Sequence, residues 1–388
     1  MDDETRIRMA LLRSSSDAAT RIFTTILTHS PISRIDVARI TGVSQGAVTK
    51  AVTPLVAAGL VDDTLDSKRE GLPGRPVNPV AVMPEALVAL GIKVNADELI
   101  GVATDLRTRT LASERVPVES REPEAIVEAI VAICKRLEAR LDGLGSRLAC
   151  IGVAVSGDVD ASTGVVRESA IMGWRAVDLG ARLQERLTPL VIVDNDVRAL
   201  TIGEHWFGVG LGTSSFAIVT IGRGIGSGLH VNGEVIEGAH GVAGEIGHLP
   251  LTSPDRICPC GRRGCVEAIA STGAIVNAIS AAHSRHVGIE EAVSLANAGD
   301  QDALKVFDEA GAVIGTAIAT LVNLIGPELV IIGGEAVTNF HLYETTLRAS
   351  YREHVFGSAD RCRIVVRSHT FEDWARGAAA TAIRALVV

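Results

Sequence analysis

Residues 238–267, GAHGVAGEIGHLPLTSPDRICPCGRRGCVE, constrain this chain more than any other stretch. They place His248, Cys258, Cys260 and Cys265 in the pattern H-x9-C-x-C-x4-C. Three thiols and one imidazole make a soft, closed donor set that suits tetrahedral Zn2+. A thiol ligates only as the thiolate, and a divalent cation lowers its pKa enough to supply one. Gly261 and Gly264 provide the small residues that a turn between the second and third thiol needs. Four donors leave no open coordination position, so the expected metal is structural and not hydrolytic. The competing reading is a set of unrelated thiols or a disulfide, and a Cys258–Cys260 bridge would be strained at that separation.

Two carboxylates flank these donors: Glu245 precedes His248 by three residues, and Glu267 follows Cys265 by two. A metal that fixes the backbone also fixes where these acids point. Acids held in this way are suited to accept hydrogen bonds from several hydroxyls of a sugar. The bland alternative is a pair of surface glutamates.

At 388 residues the chain exceeds one ordinary core, so two or three domains are expected. Hydrophobic content of 47% with 21% charged residues describes a soluble globular protein and excludes a disordered one. Six cysteines are too few for a disulfide scaffold in a chain this long. A net charge of −9 argues against a protein basic all over, but it leaves room for a local DNA-binding module. The N-terminus has no apolar core of signal-peptide type. The most membrane-like run, residues 310–326, contains Thr and Asn323 and lacks flanking anchors, so it reads as a buried core helix. A cytoplasmic protein without membrane partners is expected.

The first segment reads as a helix-turn-helix with a wing. Ile22, Phe23, Ile26 and Leu27 recur at helical spacing, giving a helix over about residues 16–29 that Pro31 interrupts. Ser33 is placed to cap the next helix, near residues 33–41, with Asp36 at its third position. Gly42 permits the tight turn, and Ser44 caps a third helix whose inner face is Val48, Val52 and Leu55. Its outer face presents Gln45, Gly46, Thr49 and Lys50. The N-terminal part of such a helix enters the major groove. Gln45 and Thr49 are then candidates for base edges, and Ser44 and Lys50 for phosphates. Pro54 is expected to kink or end this helix. AAGLVDD leads into a wing strand, and the Gly- and Pro-rich residues up to 82 form its tip and a linker. Arg75 there reads either as a minor-groove contact or as a solvated linker arginine. The same three helices also suit an ordinary packing element that binds nothing.

From Met83 the pattern changes to apolar runs of strand length alternating with helical segments, which is α/β patterning with buried strands. The runs fall into two sets, suggesting two lobes. The expected divisions are residues 1–82, a DNA-binding module; 83–200 with a C-terminal helix at 371–388; and 201–370, which carries the metal donors.

Three motifs then carry a specific resemblance. TIGRGIGSGLHVNGEVIEGAHGVAGEIGH, CPCGRRGCVE and VDNDVRALTIGEHWFG together resemble the ROK family (repressor, open reading frame, sugar kinase) from about Ser16 onward. The resemblance implies a winged helix-turn-helix followed by a two-lobed body of the actin/hexokinase fold. It implies operator DNA and a sugar or phosphosugar effector as partners, and a homodimer or homotetramer. It makes Asp196 the equivalent of the kinase catalytic aspartate. Asn195, Asp196, Glu245, His248 and Glu267 would contact the sugar across the two lobes, with His248 also a ligand of the family zinc. Family kinases carry D-x-G-G-T at the first hairpin of the body. Here the segment reads GIKVNADELIG, so Lys93 replaces the acid, Asn95 and Ala96 replace the glycines, and Asp97 replaces the threonine. Asp97 and Glu98 put negative charge where a phosphate chain would lie. Arg223 stands where kinases usually carry a small hydroxyl residue, and SAIMGW stands where they often show P-N-L-P-G-W. The expectation is therefore a sugar-sensing repressor whose body has lost ATP use, so that no catalytic residue is assigned. Its rivals are an active sugar kinase with a DNA-binding arm and a repressor controlled by a protein partner.

Overall fold

The computed structural model describes residues 1–64 and 79–388. Arg75, with Lys68 and Arg69, lies outside the described residues. The chain divides into two compact units, Met1–Leu211 with Trp374–Val388, and Gly212–Asp373.

The first unit opens with a helix that the sequence reading did not anticipate, α1 (Asp3–Arg13). Asp2 caps it by accepting the Thr5 N–H at 2.8 Å. Met9 and Leu12 are its buried apolar residues, and Arg8 donates to the carbonyls of Ala58 and Ala86 at 2.9 and 3.0 Å. Next come α2 (Asp17–His29), α3 (Arg34–Thr41) and α4 (Gln45–Ala57). Ser16, Ser33 and Ser44 are their N-caps. Gly42 makes the turn at φ +72°, a left-handed conformation that side chains disfavour. Pro54 does not end α4, which runs on to Ala57. The donor it lacks would have bonded the carbonyl of Lys50, an exposed residue. The last turn closes instead through Ala58 N–H on the Pro54 carbonyl at 3.0 Å. Short strands β1 (Ile32–Ser33), β2 (Val61–Asp62) and β3 (Pro79–Val82) form the antiparallel wing in the order β1-β3-β2.

The lobe that follows is built on β4 (Val88–Val94), β5 (Glu98–Asp105), β6 (Thr110–Pro117), β7 (Leu148–Val155) and, beyond a small sheet of β8 (Asp158–Asp160), β9 (Val165–Ser169) and β10 (Trp174–Asp178), on β11 (Leu190–Asn195). The large sheet has the order β11-β7-β4-β5-β6, parallel across β11, β7 and β4 and antiparallel beyond. Helix α5 (Pro123–Ala139) supplies Ile126, Ile130 and Ile133 to the core that holds Leu90 and Ile92. Side chains alternate across a strand, so Gly91 and Lys93 face the other way. There the C-terminal helix, α13 (Phe371–Val387), packs backbone against backbone. A Cβ at Gly91 would fall 1.9 Å from the Ala375 carbonyl oxygen, and one at Gly152 only 1.8 Å from that of Ala378. The far end of α13, Ile383 to Val387, shares one apolar cluster with Ile22, Phe23, Ile26 and Leu27 of α2. The helix-turn-helix and the first lobe are thus buried against each other.

The second unit is a sheet of β12 (Phe216–Ile221), β13 (Ile225–Val231), β14 (Glu234–Val235), β15 (Leu329–Gly333) and β16 (Arg363–Val366), in the order β14-β13-β12-β15-β16. Its core helix is the long apolar run expected from the sequence. This helix, Gln301–Ile325, is long and apolar enough to cross a membrane by length and composition, and half of its most apolar window is buried. Phe307, Ile314, Ile318 and Val322 lie in the unit's core.

Candidate functional site

The parallel strands β4, β7 and β11 end together. Val94, Val155 and Asn195 are registered across the sheet, so Asn95, Ser156 and Asp196 form the next row. Carboxyl ends of parallel strands are where such sheets bind ligands. Asp196 opens the helix α7 (Asp196–Phe207) and is 5% exposed. Its Oδ2 accepts from Lys93 Nζ and from Ser156 Oγ, and its Oδ1 accepts the Val197 N–H at 2.9 Å. Lys93, 3% exposed, also lies 5.4 Å from the centroid of the Trp374 ring at the start of the C-terminal helix. Burial pushes the Asp196 carboxyl up, but the Lys93 charge and the hydrogen bonds from Lys93, Ser156 and Val197 outweigh it. The carboxyl is held below the usual carboxylate range. The sequence showed that Lys93 replaces an acid; it did not show that Lys93 pairs with Asp196. One signal was available: a lysine inside a strand buried at every position needs a counter-charge.

Asn195 is the N-cap of α7. Its Oδ1 accepts the Arg198 N–H at 3.0 Å and its Nδ2 donates to the Gly157 carbonyl at 2.9 Å. Arg198, also buried, is ion-paired with Asp194 and donates to the Val159 carbonyl at 2.9 Å. These bonds fix the loop after β7 against the start of α7.

The other three expected sugar contacts, Glu245, His248 and Glu267, lie in the second unit with the metal donors. His248, Cys258, Cys260 and Cys265 present ligand atoms within 4.8 Å of one another. His248 turns Nδ1 toward Cys258 Sγ at 3.8 Å, and its Nε2 lies 4.0 Å from Glu245 Oε2. A carboxylate behind a ligating imidazole is the usual way to fix ring orientation. Cys260 and Cys265 sulfurs are 3.9 Å apart, and all six cysteines are free thiols. Gly261 and Gly264 both take positive φ, +83° and +75°, and the Cys258 N–H on the Arg262 carbonyl at 2.8 Å closes the knuckle. Burial pushes the Cys258 thiol up to about 12; a thiolate in that place needs a cation beside it. The cluster therefore fits a metal ion. Glu267 accepts the Ile225 N–H on Oε2 at 3.0 Å, so it also holds the turn between β12 and β13.

On α4, Ser44, Gln45, Gly46, Thr49 and Lys50 are all exposed, while Val48, Val52 and Leu55 are buried as the spacing predicted. Ser44 Oγ accepts the Ala47 N–H at 3.2 Å and Thr49 Oγ1 donates to the Gln45 carbonyl at 3.0 Å. Both are thus tied to the backbone, and the Gln45 and Lys50 side chains make no such bond among the described residues.

A winged helix-turn-helix on a two-unit α/β body of sugar-kinase type is the class these features define. The ROK family profile matches residues 89–385, and the chain belongs to that family. It is 26% identical to the xylose repressor of Bacillus spizizenii over 331 residues, 85% of each chain. Its fold is that of a ROK family transcriptional regulator described as a homolog of E. coli MLC protein, with a TM-score of 0.81, 24% identity and 95% of each chain covered. A ROK glucokinase from Streptomyces griseus, solved with glucose and AMPPNP, matches at a TM-score of 0.66 and 26% identity, covering 76% of this chain and 99% of the kinase.

Proposed function

We propose that this chain is a sugar-responsive transcriptional repressor of carbohydrate-metabolism genes in the cytoplasm, and that its kinase-like body does not transfer phosphate. The Lys93–Asp196 pair carries the second half of this reading. A general base needs a pKa near the working pH and an oxygen free for the proton it takes. Asp196 has its pKa held low, and both donors on Oδ2 would have to leave first. What remains is an ionised acceptor on Oδ1, suited to hold a sugar hydroxyl rather than to deprotonate it.

The first half rests on the exposed face of α4 and on a relative, named a xylose repressor, that matches along 85% of the chain. The glucokinase leaves about a quarter of this chain unmatched, as expected if the extra part is the DNA-binding arm. Gln45 and Thr49 read base edges, Ser44 and Lys50 hold phosphates, and Arg75 reaches into a minor groove. Two copies would set recognition helices on half-sites about 34–36 Å apart, so an operator-bound dimer or tetramer is the working form. Asn195, Asp196, Glu245, His248 and Glu267 take the sugar or phosphosugar. His248, Cys258, Cys260 and Cys265 hold a structural Zn2+, which fixes the backbone on which Glu245 and Glu267 stand. A full switch from bound to free operator requires the effector to prefer one form by about 5.5 kcal/mol.

The test is fluorescence anisotropy of labelled operator-sized fragments with a panel of free and phosphorylated sugars, run beside an ATP-consumption assay. At least one sugar is expected to shift DNA affinity, with no ATP turnover for any of them. Hexose-dependent ATP turnover that is lost in Asp196→Asn would overturn the reading.

A further inference from the structure

The turn joining β12 to β13, residues 222–224, is Gly-Arg-Gly; the Gly222 N–H closes it on the Gly224 carbonyl at 3.1 Å, and two of the N–H groups that follow meet carboxylates. The Arg223 N–H donates to Glu335 Oε1 at 2.7 Å, and the next strand's first N–H, on Ile225, donates to Glu267 Oε2 at 3.0 Å. Successive N–H groups in a glycine-rich turn make a concavity that receives anions, phosphates above all. Here the anion comes from the chain itself.

The approach of Glu335 is built into the backbone. A Cβ on Gly222 would lie 2.1 Å from the Glu335 carboxyl carbon, so a side chain at 222 would push this carboxylate off the turn. Glu335 follows Gly334, which takes φ +97° at the end of β15 and whose own Cβ would fall 2.4 Å from the Ile221 carbonyl oxygen. Two glycines, each just past the end of a different strand, therefore leave room for the side chain on the turn. The opposite side of the turn is closed in the same way, since a Cβ on Gly224 would lie 2.9 Å from Glu267 Oε2.

We infer that Glu335 is a specificity-determining residue: its carboxylate fills the anion-receiving turn at residues 222–224 and excludes polyphosphate from the second unit. This rests on the reading of the body as one that does not use nucleotide, and it locates a determinant of that loss apart from Lys93. A phosphate oxygen reaching the Arg223 N–H would have to displace a like charge already seated there. The arrangement is not a general feature of a strand followed by two glycines; it needs an acid at the third position.

The experiment is calorimetric titration of the full-length, metal-loaded protein with inorganic pyrophosphate and with Mg-ADP, comparing the unmodified chain with Glu335→Ala and Glu335→Gln. The Ala variant opens the turn and should bind pyrophosphate at least tenfold more tightly than the unmodified chain. The Gln variant keeps an acceptor but loses the charge, and should gain less. Melting temperature and near-UV circular dichroism establish that each variant is folded, and the near-isosteric Gln serves if Ala is not. Equal affinity for the unmodified chain and both variants, whether all bind or none does, would overturn the role of Glu335. It would leave the functional reading intact, because that reading fails on a different result, ATP turnover by the unmodified chain.

Discussion

Lys93→Met removes one partner of a buried ion pair while keeping a similar volume, and its cost can be worked from the structure. Both side chains are almost fully enclosed, 3% and 5% exposed as residues. Breaking a buried pair by deleting one charge typically costs about 3–5 kcal/mol, because the other is left unpaired. In a domain of this size each kcal/mol lowers the melting temperature by about 2–4 °C, so a fall of roughly 6–20 °C is expected at pH 7. The pH dependence carries the stronger test. In the unmodified chain Asp196 has a depressed pKa, so its stabilising contribution is present above the unfolded carboxylate pKa and is lost as pH falls through the folded value. Without Lys93, burial dominates and pushes the same carboxyl up. The variant then gains stability as pH falls through that raised pKa, and the gap between the two proteins narrows toward pH 4. Urea titrations at several pH values, with Lys93→Met/Asp196→Asn closing a double-mutant cycle, would measure this. A loss under about 1 kcal/mol at pH 7, well below the usual cost of breaking a buried pair, or a gap that does not change with pH, would refute the argument.

Other perturbations test other parts of the molecule. Cys258→Ser should lose zinc, measured by elemental analysis, and should lower the melting temperature, since a structural metal contributes folding energy directly. Lys50→Ala should weaken operator binding about equally across sequences and reduce the salt slope by about one, whereas Gln45→Ala should cost about 1–3 kcal/mol and relax preference at one base pair; anisotropy at several salt concentrations separates them. Gly152→Ala places a Cβ 1.8 Å from the Ala378 carbonyl oxygen and should displace the C-terminal helix, seen as loss of cooperative unfolding or of soluble protein.

Much of the fold was legible in the sequence because its signals are local. Capping serines at 16, 33 and 44, the left-handed Gly42 and the inward Val48, Val52 and Leu55 are read off spacing alone, and they stand where expected. The metal quartet is local too, since its four donors lie within one short segment. Two local readings failed. The first helix was missed because its apolar residues, Ile7, Met9, Leu11 and Leu12, do not mark one clean face: only Met9 and Leu12 are buried, and Arg8 reaches the carbonyls of Ala58 and Ala86. Pro54 is expected to kink or end its helix, yet the helix runs on to Ala57, because a proline whose orphaned carbonyl partner belongs to an exposed residue can be carried inside a helix.

The sequence by itself determined most of the elements, the four donors that could hold a metal and the departure from the D-x-G-G-T hairpin pattern, because each depends on neighbours a few residues apart. Tertiary structure decided what those departures do. Lys93 meets Asp196 across 103 residues only because β4, β7 and β11 end in the same row, and Glu335 reaches Arg223 across 112 only because β15 lies beside β12. Sheet register, not spacing along the chain, chooses the partner of a buried charge, and a buried charge without its partner is too costly to leave standing.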